Sequence, residues 1–167
     1  MNEITQAEKV ETLKHILSNP DRRTYIEVVK RIQEQILDGV ASNELDERNA
    51  PVTHHFAPDI YMRQMDATEG TLVISKMHST EHLNILLKGA VSLVTEDGIK
   101  TLHAPCIMKS LPGTKRIGYF HEDSSWLTIH PTSETDVNKL EDDLTIPESE
   151  IDEFLISIGF EDKEFIA

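Results

Sequence analysis

His78 and His82 stand four residues apart at the head of His78-Ser-Thr-Glu-His82-Leu-Asn-Ile-Leu-Leu-Lys-Gly89. Two neutral imidazoles this close can ligate a borderline divalent metal such as Zn²⁺, Fe²⁺, Ni²⁺ or Mn²⁺. They can equally donate hydrogen bonds to an anion. A metal needs a third ligand from another strand, and His55, His121, Glu122 and His130 are the candidates. Side chains alternate along a strand, so an inward His78 carries Lys76 and His82 inward wherever the strand stays regular. Further on, Pro112-Gly113-Thr-Lys115-Arg116 adds two cations. A lysine and an arginine beside a dication cost Coulomb energy. They favour a carboxylate or phosphate, which Arg116 can hold bidentately. Three readings stay open: a metal centre on His78 and His82, a metal-free anion site built from Lys76, His78, His82, Lys115 and Arg116, and a vestigial pocket. A metal centre carries its own expectation, an affinity that falls as pH drops through about 6.

The elements that must position these residues read in three parts: a helical extension over 1–50, a strand-rich barrel over 51–131, and an acidic segment over 132–167. Thr5-x-x-Glu8 is a capping box, and Val10, Leu13, Ile16 and Leu17 follow at helical spacing. Asn19-Pro20 starts a second helix with Tyr25, Val28, Val29, Ile32 and Ile36 as its apolar stripe and Gly39 at its end. This helical hairpin packs on the barrel or on a second subunit, and a homo-oligomer, most simply a dimer, is expected. Residues 41–50 are a polar linker.

Between 52 and 131, short runs rich in Val, Ile, Leu and aromatics alternate with turn residues. The clearest strands are Thr71–Ser75, Ile85–Leu87, Ala90–Thr95, Ile99–His103, Cys106–Lys109, Ile117–His121 and Trp126–His130. Glu96-Asp97-Gly98 makes a tight hairpin. Many short strands without a βαβ rhythm argue for a closed antiparallel barrel. Beyond it, Pro147-Glu-Ser-Glu opens a helix with Ile151, Phe154, Leu155 and Ile158 on one face and Gly159 at its end.

The chain has 167 residues and a formal net charge of -14. The charge is uneven. Residues 71–121 hold Lys76, Lys88, Lys100, Lys109, Lys115 and Arg116 against Glu81, Glu96 and Asp97, whereas 132–167 holds twelve acids against Lys139 and Lys163. Nonspecific nucleic-acid binding is therefore not expected. A lone cysteine, Cys106, excludes an internal disulfide and suits a reducing compartment. No apolar run nears 18 residues, and the start lacks a signal pattern, so a cytoplasmic protein without a membrane span is expected.

Residues 52–131 resemble the cupin superfamily. A typical first cupin motif has two histidines one residue apart, a glutamate four residues after the second, and a glycine seven after the glutamate. With Gly89 as that glycine, the positions fall on Lys76, His78 and His82. The second motif, Pro-x-Gly-x-x-His, registers on Gly113, and its histidine position falls on Arg116. The resemblance thus implies a mainly β, cupin-like antiparallel barrel with an N-terminal helical hairpin and a C-terminal acidic helix. It also implies a pocket where Lys76, His78, His82 and Arg116 converge, with the usual metal set altered. His54-His55-Phe-Ala-Pro58, the His78–Ile85 segment, Pro112–Arg116 and Glu122-Asp123-x-x-Trp126-x-Thr128-Ile-His130 look like the small cupin-like proteins encoded by tailed bacteriophages. That likeness implies a host cytoplasm. It implies either a ligand-binding or metal-binding pocket, or an interaction protein that uses the barrel as a scaffold and acts on a host or virion partner.

Overall fold

The computed structural model describes residues 22–42, 50–95 and 98–159. The first helix with its capping box, the Asn19-Pro20 helix start, residues 43–49 of the linker and the turn residues Glu96 and Asp97 lie outside the described residues.

The protein is mainly β and antiparallel, with helices before and after the strands. Helix α1 (Arg22–Ala41) leads into the hairpin of β1 (Val52–Ala57) and β2 (Ile60–Ala67). Then follow β3 (Leu72–Ile74), β4 (Met77–His78), β5 (His82–Lys88), β6 (Ala90–Thr95), β7 (Gly98–His103), β8 (Cys106–Ser110), β9 (Ile117–Phe120) and β10 (Ser124–Pro131). Helix α2 (Val137–Leu144), strand β11 (Thr145–Ile146) and helix α3 (Ile151–Ser157) complete it, with a 3₁₀ turn at Glu148–Glu150.

A five-stranded sheet in the order β1-β2-β10-β5-β8 faces a four-stranded sheet in the order β3-β9-β6-β7. Met65, Ala67 and Leu86 from the first sheet meet Val91, Leu93 and Phe120 from the second, and this packing closes one end of the barrel. A second core lies outside it. Tyr25, Ile26 and Val29 of α1 bury against Met77, Ile117, Ile151 and Leu155. The apolar stripe of α1 is thus covered within the chain. Leu37, which is not part of that stripe, is exposed near the end of the helix.

Four departures from the sequence reading have physical causes. The β1–β2 hairpin precedes the first named strand, because its outward residues are polar and its apolar period is weak. Helix α1 runs through Gly39 to Ala41 instead of ending there. Helix α2 lies inside the acidic run: Asp136 caps it by accepting from the Asn138 amide, and Leu140 and Leu144, four residues apart, bury against Tyr61. The last helix begins at Ile151 after the 3₁₀ turn, and Gly159, at φ 95°, follows its end. Among the described residues, no helix is long and apolar enough to cross a membrane.

Candidate functional site

Register on the five-stranded sheet stacks its inward side chains in rows. His130 lies opposite Tyr61, and His82 lies opposite Ser110. One step deeper, Thr128 lies between Arg63 and Asn84, with His54 beyond Arg63 and Met108 beyond Asn84. The next row is Met65, Trp126, Leu86 and Cys106. With Leu93, Gly118 and Phe120 from the facing sheet, these rows enclose a cavity of about 360 Å³. The outer row holds imidazoles, the middle row is polar with one guanidinium, and the inner row is apolar.

His78 reaches the outer row by another route. Strand β4 is only two residues long, and β11 pairs with it, Thr145 opposite His78. The Pro112-Gly113 turn clamps the same backbone, where the Gly113 amide donates to the His78 carbonyl at 2.9 Å. Gly113, at φ 79°, takes the left-handed conformation that this turn needs. The His78 ring then sits 4.3 Å from that of His82 and 5.3 Å from that of His130, and the latter two are 4.7 Å apart.

The three imidazoles are held neutral. Burial first, then neighbouring His82 and His130, then Arg63 and Arg116 push His78 down to about 3. Burial, His82 and Arg63 push His130 down to about 4. Burial and Arg116 lower His82 against the opposing pull of its bond to Thr80. In that bond His82 Nδ1 lies 2.9 Å from the Thr80 carbonyl oxygen. A carbonyl can only accept, so Nδ1 carries the proton and Nε2 presents its lone pair. The Nδ1 of His130 is buried with no hydrogen-bond partner.

The cations divide into three kinds. Arg116 donates from Nη1 to Ser110 Oγ at 2.6 Å, and Ser110 also accepts from Asn84 at 2.7 Å. Asn84 in turn accepts from Trp126 Nε1 and Thr128 Oγ1, so this network fixes the guanidinium. Arg63 lines the cavity in the middle row, partly buried, and no carboxylate among the described residues pairs with it. Lys76 is exposed at the mouth, where it pairs with Glu141 of α2.

Lys76, His78, His82 and Arg116 therefore line one cavity. Lys115 does not. Its ammonium is buried against Glu148 at 2.5 Å, and its carbonyl accepts from Tyr25, so the expectation of a ligand role for Lys115 is corrected to a structural one. Alternation holds across β4: Met77 fills the second core, while Lys76 and His78 line the cavity, Lys76 at its exposed rim. Of the four candidate third ligands, only His130 faces inward. His55 meets Gln64 on the outer face, His121 lies 2.7 Å from Ser92 Oγ, and Glu122 is exposed. Sequence reasoning missed Arg63, His54 and Tyr61, all on the unrecognised hairpin. The stacked pair His54 and Tyr61 also shares a 2.8 Å hydrogen bond.

As they stand, no three His, Cys, Asp or Glu side chains among the described residues are gathered to hold a metal ion. The planes of the three imidazoles lie 22–43° apart, closer to stacked than convergent. Their chemistry nonetheless suits a borderline divalent metal: three neutral nitrogen donors, one with its outer nitrogen already anchored and one with an orphaned buried nitrogen.

No protein-family model matches the chain, and no curated protein does. Among solved structures it is similar to a cupin-2 domain-containing protein from Shewanella frigidimarina, at 15% identity over 60% of this chain and 98% of that one, with a TM-score of 0.42. It is also similar to KdgF from Halomonas sp., at 14% identity over 56% and 91% of the two chains, with a TM-score of 0.44. A putative ethanolamine utilization protein Q from Salmonella typhimurium shares 10% identity over 52% and 72%, with a TM-score of 0.45. The likeness is one of barrel fold, and nothing about ligand or reaction follows from it.

Proposed function

We propose that the protein is a small-molecule-binding barrel whose cavity takes an anionic ligand. The observation that carries this is the charge of the cavity lining. In a chain of net charge -14, the cavity is lined by Arg63, Arg116 and Lys76 against one acid, Glu141, which Lys76 already engages. A cleft of one sign with apolar walls concentrates oppositely charged ligands. Neutral imidazoles beside the guanidiniums add N–H donors. The test is calorimetry of the purified protein against phosphate, nucleotide and carboxylate panels at low and moderate ionic strength. Binding that weakens with salt and is lost in Arg63→Gln and Arg116→Gln variants that still fold supports the reading. Equal behaviour of wild type and both variants refutes it.

The imidazole set favours a second occupant of the same cavity, a divalent metal on His78, His82 and His130. An anion and a metal are compatible there, because the anion offsets the repulsion between the dication and the two arginines. Elemental analysis and native mass spectrometry of untreated protein test this directly. The phage resemblance extends the reading to a host cytoplasm, with a host-directed or virion-associated interaction role as the alternative. That alternative is tested by capture of partners that depends on the acidic 132–167 segment.

A further inference from the structure

We infer that the ligand is a small amphipathic carboxylate that enters tail first, its carboxylate on Arg63 and its apolar end against Met65, Phe120 and Trp126. This rests on the cavity being an anion site and names the class of anion.

The argument starts from the rows. Along β2 the inward residues run Tyr61, Arg63, Met65, and along β10 they run His130, Thr128, Trp126. Polarity therefore falls steadily from mouth to floor. Successive inward side chains are about 6.6 Å apart, so an anion at Arg63 has its substituent at the apolar floor within a few carbon atoms. A ligand without an apolar tail would leave Met65, Phe120 and Trp126 facing empty space. Conversely, an apolar ligand without an anion would leave the Arg63 guanidinium desolvated and uncompensated, which is costly.

Charge matching selects the head group. Arg116 is committed to Ser110 and Lys76 to Glu141. Arg63 is the cation in the lining to which no carboxylate among the described residues is assigned, and its planar fork matches a single carboxylate. A phosphate monoester near neutral pH carries about −1.5 to −2, and would need both guanidiniums, of which Arg116 is already held by Ser110. The volume, about 360 Å³, lies at the small end of ligand cavities.

Trp126 is the chain's only tryptophan and lies on the cavity floor, so it reports binding. The experiment titrates the full chain by fluorescence and calorimetry with straight-chain carboxylates from acetate to octanoate, the matching alcohols, and the matching alkyl phosphates. The expected result is affinity that rises about three- to fourfold per methylene until the floor is filled, with the alcohols and the phosphates at least tenfold weaker. Arg63→Gln should lower affinity about equally along the series, and Arg63→Lys should recover part of it; thermal melts of both check folding. Acetate or inorganic phosphate binding as tightly as hexanoate would leave the anion site standing and overturn the amphipathic class. Alcohols binding as well as carboxylates, or Arg63→Gln binding like wild type, would overturn the assignment of Arg63. Binding of no anion at all would remove the anion site itself.

Discussion

The rings of His82 and His130 lie 4.7 Å apart across neighbouring antiparallel strands, and neither is charged at neutral pH. Both are nearly fully buried, and His78 joins them from a third strand. Such a cluster is stable only while it stays neutral, because protonating one ring places a charge among two others and two guanidiniums.

Acid should therefore destabilise the fold earlier than carboxylate titration alone would. All three folded values lie below the 6.5 of an ordinary histidine, near 3 for His78 and near 4 for His130. The unfolded chain then binds more protons throughout that interval. The associated stability is fully present above about pH 6.5 and is lost as pH falls toward 4, at roughly 1.4 kcal/mol per pH unit for each histidine at the limit. Urea melts of chelator-treated protein at pH 7.5, 6.5, 5.5 and 5.0 check this, and His130→Gln should flatten the dependence by about one proton. A midpoint that does not move between pH 7 and 5 would contradict it.

The same cluster changes the expected pH dependence of any bound metal. A free imidazole would begin to lose a metal near pH 6. Here the proton competes poorly, so metal bound by untreated protein should persist to about pH 5. Single His82→Ala and His130→Ala variants should each lower the metal stoichiometry seen by elemental analysis. Full stoichiometry in both variants would remove these residues as ligands.

What the sequence made legible was the part written in local pattern. The strands from β5 to β10 follow apolar period and turn residues, and Gly89 and Gly113 locate the two motifs that bring His78, His82 and Arg116 to the cavity. What it hid was set by distant contacts. Arg63 enters only through the pairing of β2 with β10, and His130 is distinguished from His121 only by register. Helix α2 was hidden by its acids, although Asp136 with Leu140 and Leu144 is a cap and a spacing that a closer reading would find. Lys115 and Arg116 are adjacent, and their opposite fates follow from alternation: Arg116 faces the cavity, so Lys115 faces the helices.

Glu148 compensates a charge that cannot reach water. The Lys115 side chain is 1% exposed, whereas Glu148 is 47% exposed. Removing the carboxylate strands a buried ammonium; removing the ammonium strands only a carboxylate that solvent can reach. Glu148→Ala should thus cost about 2–3 kcal/mol, less than a fully buried pair because Glu148 is half in water. Lys115→Met, which fills much of the same volume, should cost about 1 kcal/mol or less. Chemical denaturation orders the two variants, and the reverse order would show that Lys115 is not held by this pair.

Gly89 is required for more than its motif. It ends β5 and opens β6, where the chain passes from one sheet to the other, at φ 89°. A Cβ there would run into the Ser124 side chain and come within 2.8 Å of the Asp123 carbonyl oxygen and Ser124 Cα. Those atoms belong to the start of β10 and cannot yield without moving the strand that carries Trp126, Thr128 and His130. Gly70, at φ 78°, shares the left-handed backbone, yet a Cβ there would meet nothing within 4 Å. Gly70→Ala should therefore carry the backbone strain alone, about 1–2 kcal/mol. Gly89→Ala should add the clash and cost more than about 3 kcal/mol. It should also disturb the environment of Trp126, visible as a shifted emission maximum. Equal destabilisation of the two variants, with unchanged tryptophan emission, would show that β10 does not pack against Gly89 as described.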